Sequence, residues 1–186
     1  MNFLIQYKRV ESTKELQQIL ELQNANFSAY ISEEEKRNEG FVTVQHDFDL
    51  LQSMNNKCNH TITIYNNKVI GYALCMHKSF QNDIEILVPM FTEIDISLKN
   101  DIKYIVMGQI CIDKKFRKLG IFRRMYTFMK QQLHLQFNMV ITEVDDSNTR
   151  SLNAHFSIGF KHLKTYTSNK HDWQLISWNW AQKNSK

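Results

Sequence analysis

With 186 residues, 42% of them hydrophobic and 23% charged, the chain is long enough for one substantial core and reads as a single domain over residues 1–186. One proline, five glycines and three well-separated cysteines (Cys58, Cys75, Cys111) argue against a flexible linker and against a disulfide framework. No C-x-x-C pair or H-E-x-x-H helix calls for a metal, and there is neither a secretory leader pattern nor an apolar run of membrane length, so the expectation is a cytoplasmic protein with no metal and no membrane partner.

In chain order, Phe3 to Val10 suits a first strand. Ser12-Thr13-Lys14-Glu15 has the spacing of a capping box, ahead of a helix with Leu16, Ile19 and Leu20 inward. Asn24 to Asn38 has no clear period and contains the acidic run Glu33-Glu34-Glu35, either a solvated face or a lure for a cationic substrate. Gly40 to Val44 reads as a short extended piece, and Asp47 to Met54 as a helix. Ile62 and Ile64 alternate with Thr61 and Thr63, and Asn66-Asn67 tolerates the positive φ of a hairpin turn into Val69 to His77. Asp83 to Asp95 has near-helical apolar spacing interrupted by Pro89, which leaves it unassigned. Strands are expected at Met139 to Val144, Lys161 to Thr167 and Trp173 to Trp180.

The most informative stretch is Tyr104 to Leu133. Tyr104 to Ile112 is an apolar, β-branched strand. After it, Ile121, Met125 and Met129, with Phe122, Tyr126 and Leu133, build one face of an amphipathic helix. Between them lies Arg117-Lys118-Leu119-Gly120-Ile121-Phe122, a basic turn whose glycine opens a helix. A helix start carries the positive end of the dipole and suits a phosphate. Much of the local charge excess, in a chain of net +4, sits on Lys114, Lys115, Arg117, Lys118, Arg123 and Arg124, and a phosphorylated cofactor accounts for it as simply as a nucleic acid does. The aromatic interleaving of a single-strand platform is missing around it, so no nucleic-acid partner is expected.

At Arg117 and Gly120 the turn resembles the acyl-CoA signature Q/R-x-x-G-x-G/A of the GCN5-related N-acetyltransferase (GNAT) superfamily, with Phe122 standing where Gly or Ala is usual and Lys114 and Lys118 replacing frequent Pro and Gly. A second segment, Asn148-Thr149-Arg150-Ser151-Leu152-Asn153-Ala154-His155-Phe156-Ser157-Ile158-Gly159-Phe160, resembles the superfamily's N-x-x-A/S-x-x-x-Y/H-x-x-x-G-F. On a helix starting near Ser147, Asn148, Ser151 and His155 share a face, and Gly159 can end it in a left-handed conformation.

The resemblance implies an α+β GNAT fold (acyl-CoA N-acyltransferase), a mixed, mostly antiparallel central sheet flanked by helices. It also implies transfer of an acetyl group from acetyl-CoA, the cosubstrate, to a primary amine of a small molecule, amino acid or peptide. On that pattern the backbone of Gln109, Ile110, Cys111 and Ile112 pairs with the pantetheine arm and polarises the thioester carbonyl. The pyrophosphate rests on Arg117, Lys118, Leu119, Gly120, Ile121, Phe122 and Arg123, and Asn148 and Ser151 border the cofactor arm. His155 stands where a tyrosine often protonates the leaving thiol, and either takes that acid role or merely packs. Glu143 is the candidate base if its side chain enters the cleft, the other face and solvent being the alternatives. Cys111 reads as a small core residue rather than a nucleophile. A catalytically inactive acyl-CoA-binding module is the alternative function, and the tryptophan-rich tail is open to two readings, the interface of a homodimer or a cover for the sheet.

Overall fold

The computed structural model describes residues 4–27, 42, 44–99 and 101–181. The acidic run Glu33 to Glu35 and most of the expected extended piece from Gly40 lie outside the described residues; Val42 is described and forms a parallel bridge with Phe27. Seven described strands, β1 (Gln6–Arg9), β2 (Thr61–Tyr65), β3 (Lys68–Met76), β4 (Tyr104–Ile112), β5 (Met139–Asp145), β6 (Lys161–Ser168) and β7 (His171–Asn179), form a mixed sheet flanked by helices, in the order β1-β2-β3-β4-β5-β7-β6. The chain divides into two compact units interleaved along the sequence, Met1–Cys75 with Gly108–Met129, and Met76–Met107 with Lys130–Lys186.

The first unit begins with β1 (Gln6–Arg9), antiparallel to β2 (Thr61–Tyr65), which pairs in turn with β3 (Lys68–Met76). The β2–β3 turn is Asn66-Asn67, both at positive φ (49° and 60°), as their tolerance of that region predicts. Helix α1 (Thr13–Asn24) carries the full capping box between Ser12 and Glu15. It buries Leu16, Ile19, Leu22 and Gln23, whereas Leu20, expected inward, is half-buried. Asp47 caps α2 (Phe48–Lys57). The far half of β4 (Tyr104–Ile112), the 3-10 turn Lys114–Phe116 and most of α4 (Ile121–Leu133) complete this unit. Ile121, Met125, Tyr126 and Met129 are all buried, confirming the apolar stripe read from the sequence.

The second unit opens with two helical segments, a 3-10 turn at Glu85–Leu87 and α3 (Val88–Ser97). Pro89 lies in the first turn of α3, where its missing N–H removes no helical bond, so it starts a helix rather than interrupting one. β5 (Met139–Asp145) runs parallel to β4 through Tyr104↔Met139, Ile105↔Val140 and Val106↔Ile141. Helix α5 (Thr149–Ile158) follows, with Asn148 rather than Ser147 as its N-cap, and ends on Gly159 at φ 123°. A Cβ on Gly159 would come within 3.1 Å of the Trp178 ring nitrogen, a tight contact added to the strain of its positive φ. β6 (Lys161–Ser168) and β7 (His171–Asn179) form an antiparallel hairpin, and β7 also pairs with β5 along the whole of β5. Trp180 is buried and Trp178 packs on Phe160 and Trp180 with the Lys130 ammonium 5.1 Å from its ring centre, so the tryptophans of the tail are used inside this unit.

Candidate functional site

The basic turn is held at both ends within the first unit. Asp113 donates its N–H to Ile70 O (2.8 Å) and accepts from Lys115 N–H (2.9 Å), which starts the 3-10 turn Lys114–Phe116. The Phe116 ring packs on Tyr65. Arg117 then acts as a brace: its Nε donates to Ile112 O (3.0 Å) and its guanidinium to Asn26 Oδ1 (2.8 Å), while the buried Asn26 donates to Leu22 O. The Arg117 side chain therefore joins the end of β4 to the end of α1, a planar fork serving two acceptors. Beyond this brace the backbone turns through Lys118 at φ 63° and Gly120 at φ 75°, and α4 begins with Arg124 N–H bonded to Gly120 O. An added Cβ on Gly120 would meet nothing within 4 Å, so its requirement is conformational and the space above it is open. Lys118, Leu119, Gly120 and Arg123 are exposed, Ile121 is buried, and Phe122 is half-buried with its ring edge-on to Tyr126. The departure at Phe122 is thus accommodated by packing along the helix.

On β4, Gln109 is buried and its amide is spoken for: Oε1 accepts from Tyr72 OH (2.5 Å) and Nε2 donates to Val44 O (2.7 Å). Its side chain ties the strand to the segment at Val44. Cys111 is buried and desolvation pushes its thiol up to about 12, the state of an inert core residue, as expected of it. Ile110 and Ile112 are half-buried on the same strand.

In the second unit Glu143 sits on β5 opposite Leu175 of β7. It is half-buried, desolvation pushes its carboxyl up to about 7, and the Tyr166 hydroxyl, which donates to Oε2, pulls in the opposite direction. Asn148 uses Oδ1 to accept from Ser151 N–H (3.1 Å) as the helix cap. His155 is buried, with Nδ1 2.8 Å from Ser151 O and its ring edge-on to Phe160. A carbonyl can only accept, so Nδ1 carries the hydrogen, and burial holds the pKa down at about 4. At neutral pH the imidazole is uncharged with its proton committed to Ser151.

Three residues of consequence escaped the sequence reading. Asn26 falls in a stretch without periodicity. Tyr166 and Lys164 alternate on β6, a signal that marks them as sharing a face but not what they touch; Lys164 pairs with Glu93 of α3. Among the described residues no three His, Cys, Asp or Glu gather as metal ligands, and no helix is long and apolar enough to cross a membrane.

The model of the acetyltransferase (GNAT) family matches residues 16–160, and the chain belongs to that family. No curated protein sequence matches it. Among solved structures it is similar to the NatC complex bound to Gag peptide and CoA (14% identity, TM-score 0.67, covering 94% of this chain and 98% of that one). It is similar also to the ribosomal-protein-S18-alanine N-acetyltransferase from Escherichia coli (12%, TM-score 0.65, 98% and 99%). A third is Arabidopsis thaliana NAA60 in complex with acetyl-CoA (11%, TM-score 0.67, 94% and 99%). At these identities the likeness is one of fold.

Proposed function

We propose that the chain is an acetyl-CoA-dependent N-acetyltransferase whose acceptor is the amino terminus of a peptide. The observation that carries this reading is the strand, braced turn and glycine-led helix from Tyr104 to Leu133, inside the segment that the family model matches. The acceptor class is supported by the relatives above, one bound to a peptide and another an alanine N-acetyltransferase of a ribosomal protein.

The residues present fit acetyl-CoA: open space over Gly120, exposed Lys118 and Arg123, and a helix start together suit a pyrophosphate. Bound there, the cosubstrate would supply an activated acyl group with a thiol as leaving group. The backbone of Gln109 to Ile112, beyond the last parallel pair at Val106, would pair with the pantetheine arm and polarise the carbonyl. Arg117 fixes the turn, and Asn148 and Ser151 order the start of α5. Glu143 is the base: a carboxyl with a pKa near 7 accepts the proton lost by the attacking amine at neutral pH. A thiol has a free pKa near 8.5, so the leaving group departs with little help and no acid from His155 is required. His155 instead holds α5 in place through Ser151 and Phe160.

The test is thiol release from acetyl-CoA with a mixture of tetrapeptides bearing free amino termini. Peptide-dependent release that an amino-terminal block abolishes is expected. Acetyl-CoA binding without release to any amine would instead identify a binding module.

A further inference from the structure

β6 presents two successive side chains of one face to carboxylates from two other elements. The β5–β7 register sets Glu143 against Leu175 and Asp145 against Trp173; the β6–β7 register sets Lys164 against Leu175 and Tyr166 against Trp173. Partners across a ladder share a face, and so do residues two apart, so Glu143, Asp145, Lys164 and Tyr166 lie on one side of this three-stranded region with the fully buried Leu175 between them. The charges there are already sorted. Lys164 is paired with Glu93 of α3, and Asp145 is taken by Ser147 and by His171 of β7. Gln174 of β7, with its side chain on Asp146, faces elsewhere. That leaves the Tyr166 hydroxyl, reaching diagonally over β7, as the group that donates to Glu143 Oε2.

We propose that Tyr166 is the positioning residue for Glu143, fixing one carboxylate oxygen through its hydroxyl so that the other stays directed for proton transfer. This rests on the reading of Glu143 as the base. A glutamate has three rotatable side-chain bonds, and one hydrogen bond from a hydroxyl on another strand removes much of that freedom. The same donor stabilises the ionised carboxylate against the desolvation that opposes it, and burial first, then the negative charge of Glu143 and of Glu93, raises the phenol's own pKa and keeps the hydroxyl a neutral donor. Tyr166 thereby sets both where Glu143 sits and the pH at which it works.

The experiment follows Glu143 by carbon-13 NMR of labelled glutamate carboxyls, with Glu143→Gln identifying the resonance, in the full chain and in Tyr166→Phe. In parallel, peptide-dependent thiol release from acetyl-CoA is measured from pH 5.5 to pH 9. The expected result in Tyr166→Phe is a titration midpoint raised by about one pH unit, a tenfold loss of ionised base on the acid side. The acid limb of the rate profile moves by the same amount while KM for acetyl-CoA stays unchanged. Were Tyr166→Phe to fail to fold, site-specific 3-fluorotyrosine at position 166, a stronger donor, should move the midpoint and the acid limb downward instead. An active wild type whose midpoint and profile are unmoved by either change overturns the proposal and leaves the acetyltransferase reading intact. A wild type that releases no thiol overturns that reading, and with it the role of Tyr166, even though the NMR arm would still report the coupling.

Discussion

Acidification from pH 6.5 to pH 5 should destabilise this protein steeply, and His60 shows why. It is fully buried between α2 and β3, where Nδ1 accepts from Cys75 N–H (3.0 Å) and Nε2 therefore carries the hydrogen and donates to Leu51 O (3.1 Å). A second proton on Nδ1 would face the Cys75 N–H, donor against donor. Burial first, then the charges of His46 and Arg9, hold its pKa down at about 3. The unfolded chain binds a proton near 6.5 and the folded chain does not, so the neutral ring stabilises fully above 6.5 and that contribution is lost as pH falls toward 3. At about 1.4 kcal/mol per pH unit, the loss by pH 5 is about 2 kcal/mol. His46, whose Nδ1 lies 2.9 Å from Gln23 Oε1, and His155 are both held at about 4 by burial and add similar amounts. The three histidines together lose about 6 kcal/mol and Glu143, with its raised pKa, offsets about 2 of it, so the net loss of about 4 kcal/mol is a large fraction of the stability of many domains. Urea unfolding at intervals between pH 7.5 and pH 5 measures it, with imidazole nitrogen NMR identifying the tautomers. Stability that is flat across this range, or a His60 ring that titrates near 6.5 in the folded state, would refute the argument.

Glu143 has the opposite sign. Its folded pKa of about 7 lies above the ordinary 4.5, so its contribution is present below 4.5 and lost as pH rises through 7. Glu143→Gln should therefore gain about 2 kcal/mol relative to wild type between pH 5.5 and pH 8 in urea unfolding while losing thiol release. Arg117→Lys cannot serve both Ile112 O and Asn26 Oδ1 and should cost about 2 kcal/mol, with weaker acetyl-CoA binding because the turn is no longer braced; unchanged stability would deny the brace. Gly120→Ala meets no clash and should cost only the positive-φ penalty, about 1 kcal/mol, whereas Gly120→Glu, adding bulk and negative charge over the turn, should abolish acetyl-CoA binding in a folded protein. Retained affinity in the glutamate variant would contradict the assignment of the turn.

The elements whose cause is local were legible in the sequence. Tyr104–Ile112, the Asn66-Asn67 turn, the Ser12 capping box and the left-handed Gly159 all follow from nearest neighbours and reappear as expected. Pro89 was ambiguous because the same residue ends a helix or begins one, and only the position of the first turn decides. The face of Glu143 was undetermined for a related reason, since a strand's period of two turns any one-residue error into the opposite answer. Illegible altogether were features set by distant partners. Arg117 matches the signature, but its brace depends on Asn26, 91 residues away. The neutral state of His155 comes from burial and its tautomer from the Nδ1–H donated to Ser151 O, neither of which spacing reveals. Of the candidate site, the strand, turn and helix that would carry the backbone platform could be read directly; the proton chemistry could not.

The central claim is the cosubstrate site on the Arg117–Arg123 turn, and calorimetric titration with acetyl-CoA, with CoA and ATP as comparators, tests it most directly. Saturable binding of acetyl-CoA and CoA, weaker binding of ATP, and loss of acetyl-CoA binding in folded Gly120→Glu are expected. No heat of binding from a folded wild-type protein would contradict it.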